Sequence, residues 1–123
     1  MEFKEERALV ASTMGRLYKR GLTTATGGNV SMRSGDYMFI TPSGKDKDSL
    51  TFEDIAILNV KTGEQIITSY KLSIESEMHR EIYLKTDVCA VVHSHPTFAS
   101  LFSALDEKID THIIAETYYL LNE

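Results

Sequence analysis

The chain has 123 residues, 42% of them apolar and 25% charged, which suits one folded domain with a real core and argues against disorder. Its formal charge is −5, and Lys45, Lys47, Lys61 and Lys71 are interspersed with acidic residues. No basic stripe of the kind that tracks a phosphate backbone is formed, so no nucleic-acid partner is expected. The sequence has no apolar run long enough for a bilayer, and Phe3-Lys4-Glu5-Glu6-Arg7 is unlike a signal peptide, so the reading is cytoplasmic with no membrane partner.

Phe3, Val10, Met14 and Leu17, widened by Ala8, Leu9, Ala11 and Tyr18, give one apolar helical face. Gly21 is placed to end that helix in a left-handed conformation, with Lys19 and Arg20 at its carbonyl end. Gly15, within it, marks a close packing contact. Thr23 to Ser31 follows, with adjacent Gly27 and Gly28 among small hydroxyl residues. It reads either as a hairpin turn or as an anion nest of uncovered amides, to which Thr26, Asn29 and Ser31 could add side-chain donors.

Tyr37 to Ile40 reads as a strand, and a second glycine loop, Thr41-Pro42-Ser43-Gly44-Lys45, leaves it. Two such loops in a small domain suggest a shared phosphate or carboxylate ligand, with Lys45 read as solvated. Thr51 and Asp54 have capping-box spacing. Ile55–Val60 and Gln65–Thr68 read as a hairpin about the Lys61-Thr62-Gly63-Glu64 turn.

A second helix is expected over Ser73–Leu84, capped by Ser73, with Ile74, Met78 and Ile82 along its buried face. Glu75 would lie in its first turn, where a carboxylate is favoured. His79, four residues on, reads as a packed, hydrogen-bonded histidine. Val88–Pro96 reads as a buried strand enclosing an inert Cys89, the sole cysteine. His93 and His95 share a face if the strand persists, making a two-nitrogen chelate for zinc or a similar ion. Phe98, Leu101, Phe102 and Leu105 form another helical face with Thr97 near its cap. Thr111–Ala115 reads as a short strand, and the apolar run Tyr118–Leu121 is still under way where the sequence stops at Glu123.

Four of these stretches stand in the order and approximate spacing of one family: Thr26–Ser31, Thr41–Gly44, Ser73–His79 and Ala90–Pro96. The chain resembles the class II aldolase/adducin N-terminal family, especially its L-fuculose-1-phosphate aldolase branch. That resemblance implies an α/β fold with a mixed, mostly antiparallel central sheet between helical layers, a three-layer sandwich spanning residues 1–123. It implies a homotetrameric metal enzyme using Zn2+ or another divalent ion on a phosphorylated sugar. By motif position, Gly28, Asn29, Ser43, Gly44 and Ser73 resemble phosphate-binding residues. Ile74 stands where the aldolases usually have serine, and Leu72 where they often have proline. Glu75 resembles the catalytic acid/base that also reaches the metal, and His93 and His95 resemble two of three metal histidines.

The third histidine is expected beyond Glu123, and His112 precedes the segment that this ligand should follow. The resemblance therefore implies a shortened chain with an incomplete site. The implied reaction is retro-aldol cleavage of an L-fuculose 1-phosphate-like sugar to glycerone phosphate and a short aldehyde. Pentulose-phosphate 4-epimerase, methylthioribulose-phosphate dehydratase and a non-catalytic, adducin-like assembly role stay open.

Overall fold

The computed structural model describes residues 3–67 and 71–121. A first helix, α1 (Lys4–Lys19), leads to β1 (Asn29–Ser34) and β2 (Tyr37–Ile40). A 3-10 turn at Phe52–Asp54 precedes β3 (Ala56–Asn59) and β4 (Gln65–Ile67). Then come α2 (Ser76–Lys85), β5 (Ala90–His93), α3 (Thr97–Phe102) and α4 (Ala115–Leu121). The sheet order is β4-β3-β2-β1-β5, and every pairing among the described strands is antiparallel.

Strand alternation divides the core between two faces. Phe39, Ile57 and Val30 pack with Val10, Ala11 and Met14 of α1. Met38, Ile40, Ala56 and Leu58 point the other way and pack with Tyr83 of α2. The fold is an α/β sandwich with a central antiparallel sheet between helical layers, as the resemblance implied. Gly21 ends α1 at φ 68, and Gly63 closes the β3–β4 turn at φ 74. Thr68, read as part of the returning strand, lies outside the described residues.

Several local expectations are corrected. Thr23–Gly28 joins a helix to a strand, so it is not a hairpin turn; the β1–β2 reversal falls at Gly35, at φ 59. Helix α2 begins at Ser76, with Glu75 at its N-cap position in place of Ser73. Its buried residues are His79 and Tyr83, whereas Ile74 is 85% exposed and Met78 lies on the open side. Polar ties hold α2 down instead of an apolar stripe. Arg80 Nε donates to Val60 O at 2.7 Å, and Arg33 Nη1 to Tyr83 O at 2.9 Å.

β5 is an edge strand, shorter than read, and His95 lies beyond it. Val92 is 53% exposed and Cys89 is exposed too, so neither has the burial that the composition suggested. Helix α3 follows Pro96 without a side-chain cap and buries none of its residues. Thr111–Ala115 is a turn entering α4, not a strand. No helix among the described residues is long and apolar enough to cross a membrane.

Lys45, read as solvated, is paired with the buried Asp54 carboxylate. Asp54 Oδ2 also accepts from the Thr51 amide at 2.7 Å and its hydroxyl at 3.0 Å, as the capping-box spacing suggested. Burial alone would push the Asp54 carboxyl up, but Lys45 and Thr51 outweigh it and hold it below its ordinary value. A carboxylate so depressed stabilises the fold above its unfolded-state value and ceases to do so as pH falls through the folded one. Asp54→Asn should therefore lower unfolding stability by about 1–3 kcal/mol at pH 7. The deficit should shrink as wild type and variant are compared by urea unfolding at successively lower pH below about 4.

Candidate functional site

The site begins with strand register. Asn29 pairs with His93, and Ser31 with Val91, across β1 and β5. Period-two alternation puts Asn29, Ser31 and His93 on the α2 face of the sheet. The start of α2 then delivers Glu75 onto that row. Asn29 Nδ2 donates to Glu75 Oε2, and to Ser73 Oγ at 3.2 Å. Ser73 Oγ also accepts from the Glu75 amide at 3.3 Å, fixing the backbone that carries the carboxylate.

His93 Nδ1 lies 2.9 Å from Glu75 Oε2. The Asn29 amide hydrogen bond holds the Glu75 carboxyl below its ordinary value; burial opposes this, and the neighbouring His93 assists it. An ionised carboxylate only accepts, so His93 Nδ1 is the donor, and in the neutral ring the lone pair is then on Nε2. That Nε2 faces His95 Nε2 at 3.2 Å. The two histidines therefore converge, although His95 reaches the position from the loop after β5 and not from the strand itself.

Two imidazole nitrogens on one tetrahedral zinc, each at its usual bond length, stand about 3.3 Å apart. The His93–His95 spacing matches that bite, so the donor pair fits a divalent ion. Glu75 lies at the opposite edge of the His93 ring, beside Nδ1. Among the described residues, no group of three or more His, Cys, Asp and Glu side chains is arranged to hold a metal ion. The described chain offers two nitrogen donors with a carboxylate behind one of them.

Beside this pair is a cavity of about 270 Å³. Thr26, Gly27, Gly28 and Asn29 line it from the first glycine loop, and Pro42, Ser43 and Lys47 from the second. Ser73, Ile74, Glu75 and His95 complete the wall. Gly44 shares the second loop, at φ 72, but it is exposed and outside the lining. Gly28 is at φ 68, and a Cβ there would come within 2.7 Å of both His93 O and Thr23 Oγ1. A Cβ on Gly27 would meet His95 Nδ1 at 3.2 Å. The double glycine thus lets the loop lie against both histidines. A larger hollow of about 490 Å³ runs along α1 beside Arg16, Lys19 and Asp48, and includes none of these groups.

His79 is packed and hydrogen-bonded, as read from the sequence, but its partners and the burial of Lys47 were not legible there. Lys47 is 1% exposed, its Nζ donating to Pro42 O at 3.0 Å. Its place among acidic residues carries no local sign of burial, and the loop's inward path buries it. Beneath the site, Ser31 Oγ lies 2.6 Å from His79 Nδ1 and 2.7 Å from Tyr83 Oη. The signal available was the i, i+4 spacing of His79 and Tyr83, a polar stripe where the apolar one was sought.

The match to known families agrees with this geometry. Residues 8–121 match the model of the Class II Aldolase and Adducin N-terminal domain, and the chain belongs to that family. It is 42% identical over 94 residues to an L-fuculose phosphate aldolase of Methanococcus maripaludis, covering 76% of this chain and 51% of the relative. It is 38% identical over 93 residues to a methylthioribulose-1-phosphate dehydratase of Persephonella marina, covering 73% of this chain and 43% of that one. A solved L-fuculose-1-phosphate aldolase from Thermus thermophilus superposes with a TM-score of 0.78 at 31% identity, over 94% of this chain and 59% of that one. The chain spans about half the length of the curated relatives it matches.

Burial, aided by the nearby His93, lowers the His79 imidazole to about 4 from 6.5, with Glu75 opposing. The unfolded chain then binds a proton that the folded one refuses between those values, so stability should fall as pH drops from 6.5 towards 4. The His79 ring resonances should stay in their neutral form until pH approaches 4 in an NMR titration. His79→Phe should flatten the stability profile over the same window.

Proposed function

We propose that the chain carries the sugar-phosphate half of a metal-dependent aldolase site, cleaving an L-fuculose 1-phosphate-like substrate to glycerone phosphate and a short aldehyde. The observation that carries this is the His93–His95 nitrogen pair, 3.2 Å apart, beside a cavity walled by two glycine loops. His93 and His95 would hold Zn2+ or another divalent ion. When bound, that ion supplies Lewis acidity towards the carbonyl and hydroxyl oxygens of the sugar.

The remaining work falls to side chains of this chain. Gly28, Asn29, Ser43 and Ser73 are assigned to the phosphate, with Gly44 in the turn that presents Ser43 and Ile74 closing the wall beside Ser73. Holding the phosphate turns remote binding energy into orientation of the reacting carbons. Retro-aldol cleavage removes a proton from a hydroxyl oxygen and returns one to the carbon released by the broken bond. Glu75 is assigned to carry it, and its contact with His93 Nδ1 supports the neutral tautomer that leaves Nε2 free. Assembly as a homotetramer, in the cytoplasm, is part of the same reading.

A second reading, elimination of water from a methylthioribulose-phosphate-like sugar, is favoured by the 38% identity to the Persephonella dehydratase. Cleavage and elimination separate by product: one splits the carbon chain and the other leaves it whole. With zinc supplied, glycerone phosphate released from L-fuculose 1-phosphate is the product that marks cleavage. His93→Ala and His95→Ala should each lose retained zinc by elemental analysis. Glu75→Gln should retain zinc while its turnover falls by about 10²–10⁴-fold. An intact carbon chain in the product would select the dehydratase, and unaltered turnover in Glu75→Gln would remove its assigned role.

A further inference from the structure

We propose that Lys47 is the cation of the anion pocket and makes it select a phosphorylated sugar over an uncharged one. The proposal rests on the phosphate reading above and adds to it a residue outside the glycine and hydroxyl motifs. Lys47 is 1% exposed, yet it lines the cavity together with Asn29, Ser43 and Ser73. Its ammonium donates to Pro42 O at 3.0 Å, and its backbone amide donates to Ala25 O at 3.1 Å. Lys47 is thereby tied to both glycine loops at once.

Its charge has no counterpart among the described residues. Among the described residues the lysine and arginine ion pairs join Lys19 to Asp48, Lys45 to Asp54, Lys61 to Asp36, Arg80 to Glu77 and Lys85 to Glu81, and none includes Lys47. The carboxylate that shares the cavity, Glu75, is taken up by Asn29 and His93. A buried ammonium bonded only to a carbonyl is a poorly compensated charge, and ionic groups kept in protein interiors are ordinarily paired. Burial also lowers its proton affinity. A phosphate dianion in the cavity would supply the missing charge, in a setting where water screens the pair little. If Lys47 served only to tie the loops together, a neutral donor would do as well, because a carbonyl asks for a hydrogen and not for a charge.

The test is inorganic phosphate titrated by calorimetry at constant ionic strength into wild type, Lys47→Gln and Lys47→Met. Lys47→Gln keeps a donor for Pro42 O and removes the charge. Both variants should bind phosphate about 10-fold or more weakly, a loss in the range of charge-assisted hydrogen bonds. Lys47→Gln with wild-type phosphate affinity would overturn the proposal while leaving the phosphate pocket standing. A wild-type protein that binds no phosphate would overturn the pocket reading, and this proposal with it. A second measurement needs no variant: in protein carrying nitrogen-15 lysine side chains, phosphate should shift the Lys47 Nζ signal along with the Ser43 amide. A Ser43 shift with Lys47 Nζ unmoved would likewise overturn the assignment.

Discussion

The hydrogen bonds of the Asn29 side chain are what the rest of the site depends on. One amide nitrogen reaches both Ser73 and Glu75, and Glu75 in turn orients His93. Those contacts join the first strand of the sheet, the approach to α2 and the end of β5, three segments far apart in sequence. They exist because β1 and β5 pair with Asn29 opposite His93. A one-residue slip of β5 against β1 would turn His93 to the face opposite Asn29 and dismantle the arrangement, since side chains alternate with a period of two. Asn29 is itself buried, and leaving its amide or the Glu75 carboxylate unpartnered there would be costly.

Packing supports this polar chain in an uneven way. The α1 face of the sheet is an ordinary apolar layer built from Val10, Met14, Phe39 and Ile57. The α2 face is apolar towards β2 and β3 and becomes polar under the site, where Ser31 bonds to both His79 and Tyr83. A neutral His79 is suited to that place, because a charged imidazole in the same setting would lack compensation. The polar layer gives α2 a fixed seat without an apolar stripe. The helix start, and therefore Glu75, is positioned by geometry that an apolar interface would define less sharply.

Much of this architecture was readable from local patterns. The apolar strand Tyr37–Ile40, the Thr51/Asp54 box and the glycine closing the β3–β4 turn each follow from local chemistry, and each is present. What escaped the sequence were features set by tertiary position. Val88–Pro96 has the composition of a buried strand, but burial is decided by what lies beside it, and β5 is an edge. Ile74 and Met78 have helical spacing, yet the sheet beneath α2 presents Ser31, so His79 and Tyr83 turn inward. Lys47 carries no local sign of burial, and it is the loop's path that takes it inside. The candidate site was legible as a set of motifs, because glycines, an acid and paired histidines carry their chemistry in their identities. Their convergence was not, since it depends on the β1–β5 register.

The central claim is that His93 and His95 form one metal-binding pair at the mouth of the glycine-loop cavity. Crystals of the protein equilibrated with zinc and measured across the zinc absorption edge would test it most directly. The account predicts an anomalous peak within about 2.0–2.3 Å of Nε2 on both His93 and His95, with Glu75 still at Nδ1 of His93. A zinc ion held elsewhere, or bound to only one of the two rings, would contradict it.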